Sequence, residues 1–224
     1  MAYNNLAEEE AVAIEKLNNN LIKAVENKDV NKIDELLQQG ADVNFKDANG
    51  YSVLIHAAIN ESNIQKNSVE YANIVRVLLA KGADINAIDE EGYTALRFAA
   101  ANNNIETVKA LLEAKYPPAD PNTQDKMEKK TALHAASEEG HIEIVKLLLT
   151  LNNIDVSIKA ENGMTVKQVA NMGGHNYIVG LLQQAEQKRQ HMGGRRSTRG
   201  RRVRKTRYRS SRSKKQRSRR QRLR

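Results

Sequence analysis

A five-residue phrase closes successive segments of this chain at nearly regular intervals, and that recurrence limits the folds open to it. Gly40-Ala41-Asp42-Val43-Asn44 returns as Gly82-Ala83-Asp84-Ile85-Asn86. It returns in altered form as Pro118-Ala119-Asp120-Pro121-Asn122 and as Asn153-Ile154-Asp155-Val156-Ser157. The closing residues are 42, 36 and 35 positions apart. Double leucines recur with them, as Leu36-Leu37, Leu78-Leu79, Leu111-Leu112, Leu147-Leu148 and Leu181-Leu182. A period of this length marks an array of one supersecondary unit. Each unit is too small to bury both its faces alone, so the copies must stack.

The stretch from Lys126 to Ser157 displays the unit. Thr131 is placed to cap a first short helix through its hydroxyl. Leu133 and Ala136 fall on one face of that helix, and its alanines admit a neighbour at close range. Gly140 supplies the break, because glycine tolerates a positive φ at a helix end. Ile144, Val145, Leu147 and Leu148 form the apolar side of a second helix. The starts recur too: Gly50-Tyr51-Ser52-Val53-Leu54, Gly92-Tyr93-Thr94-Ala95-Leu96 and Gly163-Met164-Thr165-Val166.

On these motifs the chain resembles the ankyrin-repeat family over residues 17–186. The resemblance implies an all-α solenoid of stacked helix-turn-helix units joined by short β-turns. We divide the chain into an N-terminal helical cap at 1–20, five repeats at 21–46, 47–88, 89–124, 125–159 and 160–186, and a tail at 187–224. In the cap, Asn5 followed by Glu8 reads as a helix start. Ile14, Leu17, Leu21 and Val25 then follow at helical spacing. The second repeat carries an insertion between its helices, placed at Glu61 to Tyr71. It is either a solvated loop or part of a binding face. In the fourth repeat Lys129 stands where the other turns have glycine. In the fifth, Lys167 replaces a core leucine, which suits a terminal repeat.

Charge separates the tail from the body. All 27 acidic residues precede Gln187, against 17 of the 36 basic ones, so residues 1–186 carry −10 and residues 187–224 carry +19. Seventeen of the last 30 residues are Lys or Arg. They are Arg195, Arg196, Arg199, Arg201, Arg202, Arg204, Lys205, Arg207, Arg209, Arg212, Lys214, Lys215, Arg217, Arg219, Arg220, Arg222 and Arg224. Such density with few apolar residues predicts disorder in isolation. Phosphate is the natural counter-charge, with binding driven by counterion release. Runs of this kind also match nuclear-import signals. RNA, DNA, an import receptor and the chain's own acidic face are the alternatives for what the tail binds. Only Tyr208 is available to stack on a base, which argues against sequence-specific single-strand reading.

Catalytic chemistry has little to stand on. Cysteine is absent, which removes thiolate nucleophiles, disulfides and Cys-ligated zinc. The chain has no His-Glu-x-x-His, Gly-x-Ser-x-Gly or phosphate-loop pattern. Of the five histidines, the family resemblance gives His134 a turn-bracing role and places His141 and His175 between helices. His56 has no evident partner in the sequence. We therefore expect no catalytic residue, no metal site and no cofactor. No apolar run reaches the ~20 residues of a membrane span. A monomeric intracellular protein of cytoplasm or nucleus is the expectation.

The resemblance implies binding of a protein along the concave face, through turn tips and first helices. Carried over residue by residue, those positions are Ala48, Asn49, Tyr51 and Asn60 in repeat two. In repeat three they are Glu90, Glu91, Tyr93 and Asn102. In repeat four they are Met127, Glu128, Lys130, Glu138 and Glu139, and in repeat five Glu161, Asn162, Met164 and Met172. Tyr51 and Tyr93 are either interface anchors or packing partners of the neighbouring turn. The glutamates make the face acidic and favour a basic partner.

Overall fold

A computed structural model describes residues 2–59, 68–114 and 117–189, with side chains from residue 9 onward and residue 68 described for its backbone alone. The chain divides into two compact units, 1–181 and 182–224. The first holds the repeat array. Of the second, only 182–189 belong to the described residues, so the expected disorder of the tail and all its Lys and Arg from Arg195 onward lie outside them.

The helices are α1 (Ala2–Glu26), α2 (Val30–Gln38), α3 (Val53–Ile59), α4 (Ser68–Ala80), α5 (Ala95–Ala101), α6 (Ile105–Glu113), α7 (Ala132–Glu138), α8 (Ile142–Leu149) and α9 (Val166–Met172). A tenth, α10, covers 176–189 and so runs into the segment read as tail. The fold is the expected all-α repeat array. First helices α3, α5, α7 and α9 stack in one layer, which α1 joins at α3. Second helices α4, α6 and α8 stack in the other.

Each first helix starts at a hydroxyl cap. Ser52, Thr94, Thr131 and Thr165 accept from the amides of Ile55, Arg97, His134 and Gln168. Two of these are full capping boxes, in which His134 and Gln168 reach back to the cap amide. The leucine two residues past the cap is driven inward: Leu54, Leu96 and Leu133 are 1%, 2% and 0% exposed. Each such burial contributes roughly 1.5–3 kcal/mol. Lys167 takes that place in α9 and stays half-buried, as the sequence suggests for the last repeat.

α1 is one continuous helix that begins at Ala2, so Asn5 is its fourth residue rather than its start. The reading of Asn5 as a cap is thereby corrected: the helix already continues on its N-terminal side. Leu21 and Val25 are fully buried, but Ile14 is 49% exposed, so the apolar stripe engages the array only in its later half. The segment read as the insertion, Glu61 to Tyr71, is helical in its last part. α4 already begins at Ser68, and Tyr71 is a buried helical residue; residues 60–67 lie outside the described residues.

Side-chain amides tie the turns together. Asn44 donates to the Gly82 carbonyl at 3.3 Å and accepts from the Asp84 amide at 2.7 Å. Asn86 repeats the pair on Pro118 and Asp120, and Asn122 repeats it on Asn153 and Asp155. Asn18, buried in α1, starts this ladder by accepting from the Asp42 amide at 2.7 Å. Ser157 ends it, turning its hydroxyl onto Asp155 of its own turn.

A second set of braces sits seven residues before each buried leucine of the second helices. Tyr71 Oη donates to the Glu26 carbonyl at 3.1 Å, Asn104 Nδ2 to Ala58 at 3.0 Å, His141 Nε2 to Ala101 at 2.9 Å and His175 Nε2 to Glu138 at 2.9 Å. Phenol, amide and imidazole perform one task there. The structural roles expected of His141 and His175 are thus met.

A candidate protein-interaction face

The turn tips are built by an aspartate and a glycine. Asp47 Oδ1 accepts from the Asn49 and Tyr51 amides, and Asp89 Oδ1 accepts from the Tyr93 amide. Gly50 and Gly92 hold φ of +77° and +87°. A Cβ at Gly92 would lie 3.0 Å from the Lys126 backbone nitrogen, so glycine also lets adjacent tips touch. The fourth turn is one residue longer, closing Asp125 N on Lys130 O. Lys129 takes the left-handed conformation there, at φ +53°. Asp125 holds that turn by accepting from the amides of Glu128 and Lys130.

Three aromatic rings meet between the second and third repeats. Phe98 stands edge-on to Tyr51 at 5.7 Å and to Tyr93 at 5.5 Å. Tyr51 also meets the His56 ring edge-on at 5.9 Å. The Arg97 guanidinium lies 4.0 Å over Tyr93 and 3.3 Å from Asp125, whose carboxylate is fully buried. Both tyrosines therefore pack against a neighbouring helix, yet both remain half-exposed. Burial raises the Tyr51 pKa, and the carboxylates of Asp89, Glu91 and Asp47 push it the same way. His56 has partners the sequence did not reveal: Asp47 Oδ2 at 3.0 Å and Glu26 at 3.7 Å.

The remaining expected contact residues fall into three groups. Glu90 and Glu139 are exposed and Glu91 is half-buried; among the described residues none of them forms an ion pair. Lys130 is occupied, with its ammonium 2.8 Å from Glu138 and 3.3 Å from Glu128. Burial lowers the Lys130 pKa, but the hydrogen bonds to Glu138 and Glu128 more than offset this and leave it raised. Asn102, although exposed, donates to the Ile59 carbonyl at 3.0 Å. Met164 is half-buried, with its sulfur accepting from Asn162. Asn60 lies outside the described residues.

His134 is fully buried. Burial lowers its pKa, against which a contact with the Met164 backbone works in the opposite direction. With Thr131 and Ser137 also buried, this polar group is sealed from any substrate. On the side of the second helices, a shallow cleft of about 530 Å³ is lined by Asn103, His141, Lys146 and Tyr177 among others. His141 and Lys146 are engaged there with the Ala101 carbonyl and with Glu143. Among the described residues no three His, Asp or Glu side chains gather as a metal site, and no helix is long and apolar enough to cross a membrane.

Short paired helices, glycine-aspartate tips and an asparagine ladder define a class of repeat protein that presents a row of turn tips to solvent. The family model described as "Ankyrin repeats (3 copies)" matches residues 21–125 and 114–191, and this chain belongs to the ankyrin-repeat family. Ankyrin repeats are generally protein-interaction modules without catalytic activity. Protein VAPYRIN-LIKE of Medicago truncatula is a relative, 27% identical over 196 residues that cover 73% of this chain. The alignment covers 39% of that protein, so the chain spans about two fifths of the relative's length.

Proposed function

We propose that this protein is a non-catalytic adaptor. Its repeats bind a partner protein along the concave face of turn tips and first helices. Its basic segment, 187–224, directs the complex to a polyanion or to the nucleus. In this reading it works as a monomer, in cytoplasm or nucleus. The observation that carries the proposal is a division of labour among polar groups. The asparagine ladder and the Tyr71, Asn104, His141 and His175 braces are consumed in stacking. Glu90 and Glu161 on turn tips and Glu139 at the end of a first helix stay exposed. Exposed carboxylates favour a basic partner through electrostatic steering.

Capture from cell lysate tests this reading, with the full chain compared with a Glu90→Lys, Glu138→Lys, Glu139→Lys variant, each with and without nuclease. Partners that survive nuclease but are lost on charge reversal are expected. Retention by the variant would remove the concave face from the account. The second reading is a nucleic-acid-binding protein acting through its tail with the repeats as modulator. It is favoured by the 17 Lys and Arg among the last 30 residues. Loss of all recovery on nuclease treatment would select it.

A further inference from the structure

Asp47, Asp89 and Asp125 open three successive turns, and each holds amides of its own turn. A second oxygen meets a different environment in each. Asp47 Oδ2 meets His56 Nε2 at 3.0 Å. Asp125 Oδ2 lies 3.3 Å from the Arg97 guanidinium. Asp89 Oδ2 is buried with no hydrogen-bond partner, in a residue 3% exposed.

The two flanking helices supply the reason. His56 lies four residues past the cap Ser52; the equivalent residue past Thr94 is Phe98. Arg97 lies three past Thr94 and reaches forward to the next turn; its equivalent past Ser52 is Ile55. At the Asp89 turn both possible donors, from its own repeat and from the preceding one, are thus apolar. A buried carboxylate oxygen left unpaired costs on the order of 1–3 kcal/mol or more, so its place in the fold calls for an explanation.

Asp89 has the Glu91 carboxylate and an aromatic group beside it. Tyr93 belongs to its own turn and packs on Phe98, which packs on Tyr51. Of the charged groups acting on the Tyr51 phenol, Asp89 is the strongest, ahead of Glu91 and Asp47. Aromatic faces backed by carboxylates attract a cationic side chain. Arg97 demonstrates the fit, with its guanidinium 4.0 Å over Tyr93.

We propose that the half-exposed Tyr51–Phe98–Tyr93 surface, backed by Asp47, Asp89 and Glu91, is the anchor site for an arginine side chain of the partner protein. This rests on the adaptor reading and specifies the chemistry of its partner. Arginine suits the site better than lysine because its planar, weakly hydrated guanidinium stacks on a ring while presenting a donor to the half-buried Glu91. The acidic balance of residues 1–186, at −10, draws such a segment in.

The chain has two phenylalanines, Phe45 and Phe98, so fluorophenylalanine labelling gives the full-length protein two fluorine resonances. Phe45→Leu assigns them. The probe is the peptide acetyl-Gly-Arg-Gly-amide, with citrulline replacing arginine as the neutral control. A saturable shift of the Phe98 resonance with the arginine peptide alone is expected, with Phe45 unmoved. Tyr51→Ala should weaken the response by roughly 2- to 30-fold, the worth of one cation–π contact, and Tyr51→Phe should keep most of it. An unmoved Phe98 resonance, or an equal response to citrulline, overturns the anchor. If charge reversal abolishes lysate capture while Phe98 ignores arginine, the anchor falls and the adaptor reading stands. If Phe98 responds to arginine but capture is indifferent to charge reversal, the cation site stands and the adaptor reading falls.

Discussion

Asp89 shows how one residue's surroundings set its chemistry. Its burial raises its pKa above the ordinary carboxylate value, opposed by the Tyr93 amide and reinforced by the nearby Glu91 charge. A raised carboxyl pKa means that the folded state favours the protonated form. Its penalty is absent below the unfolded value, ~3.9 for Asp, and grows as pH rises through the folded pKa. Asp89→Asn keeps an oxygen for the Tyr93 amide and removes the charge. The variant is therefore expected to melt higher than the wild type at pH 7, with the difference closing as pH falls toward 4. Melting curves across that range check it; a constant difference would mean that Asp89 is ionised without penalty. Aspartates at the turn starts could be read from the sequence. That Asp89 alone lacks a donor could not, because the donors of its two equivalents come from different helices.

At the scale of the element, the unit is a pair of short helices hinged on one left-handed residue. That place is filled by Lys28, Asn103, Gly140 and Gly174, at φ of 58°, 57°, 78° and 75°. The glycine expected from the sequence is thus one solution of several. Gly140 has a further constraint: a Cβ there would lie 2.5 Å from the His175 ring, which braces the Glu138 carbonyl. Gly140→Ala should then combine backbone strain with displacement of a brace, destabilising by roughly 1–3 kcal/mol. The midpoint should fall by about 2–4 °C per kcal/mol. Thermal denaturation decides, and a midpoint within 1 °C of wild type would show that the His175 ring moves aside freely. The double leucines were read one position early in the fourth and fifth repeats, the buried leucine of the fifth being Leu182. The buried leucine of the fourth is Leu148, seven residues after the His141 brace, and its half-buried companion is Leu149 rather than Leu147, to judge by Leu111-Leu112 and Leu78-Leu79.

For the whole molecule, charge is distributed in blocks: −10 up to residue 186 and +19 beyond it. If the basic segment holds duplex phosphate, log K should fall with log salt by roughly 0.9 per phosphate neutralised. Replacing Arg195, Arg196 and Arg199 by Gln should flatten that slope by two to three such steps (about 2–3 in log units). Filter binding at several salt concentrations reads it, and an unchanged slope would exclude those residues from the contact.

The sequence by itself determined the repeat, its helical pairing, the cap at Thr131 and the leucines that point inward. These are consequences of local chemistry: hydroxyl caps, glycine breaks and periodic apolar residues act within a few positions of themselves. Only the tertiary structure decided which side chains serve the neighbouring repeat. Asn18, Asn44, Asn86 and Asn122 read in the sequence as ordinary polar amides, yet each spans to the next turn. Tyr71 and His141 look unlike, yet they make the same bond. The Arg97–Asp125 pair and the unpaired oxygen of Asp89 arise the same way. Their partners lie some 24 to 45 residues away in the chain, brought close by stacking, and no pattern within one repeat encodes that distance.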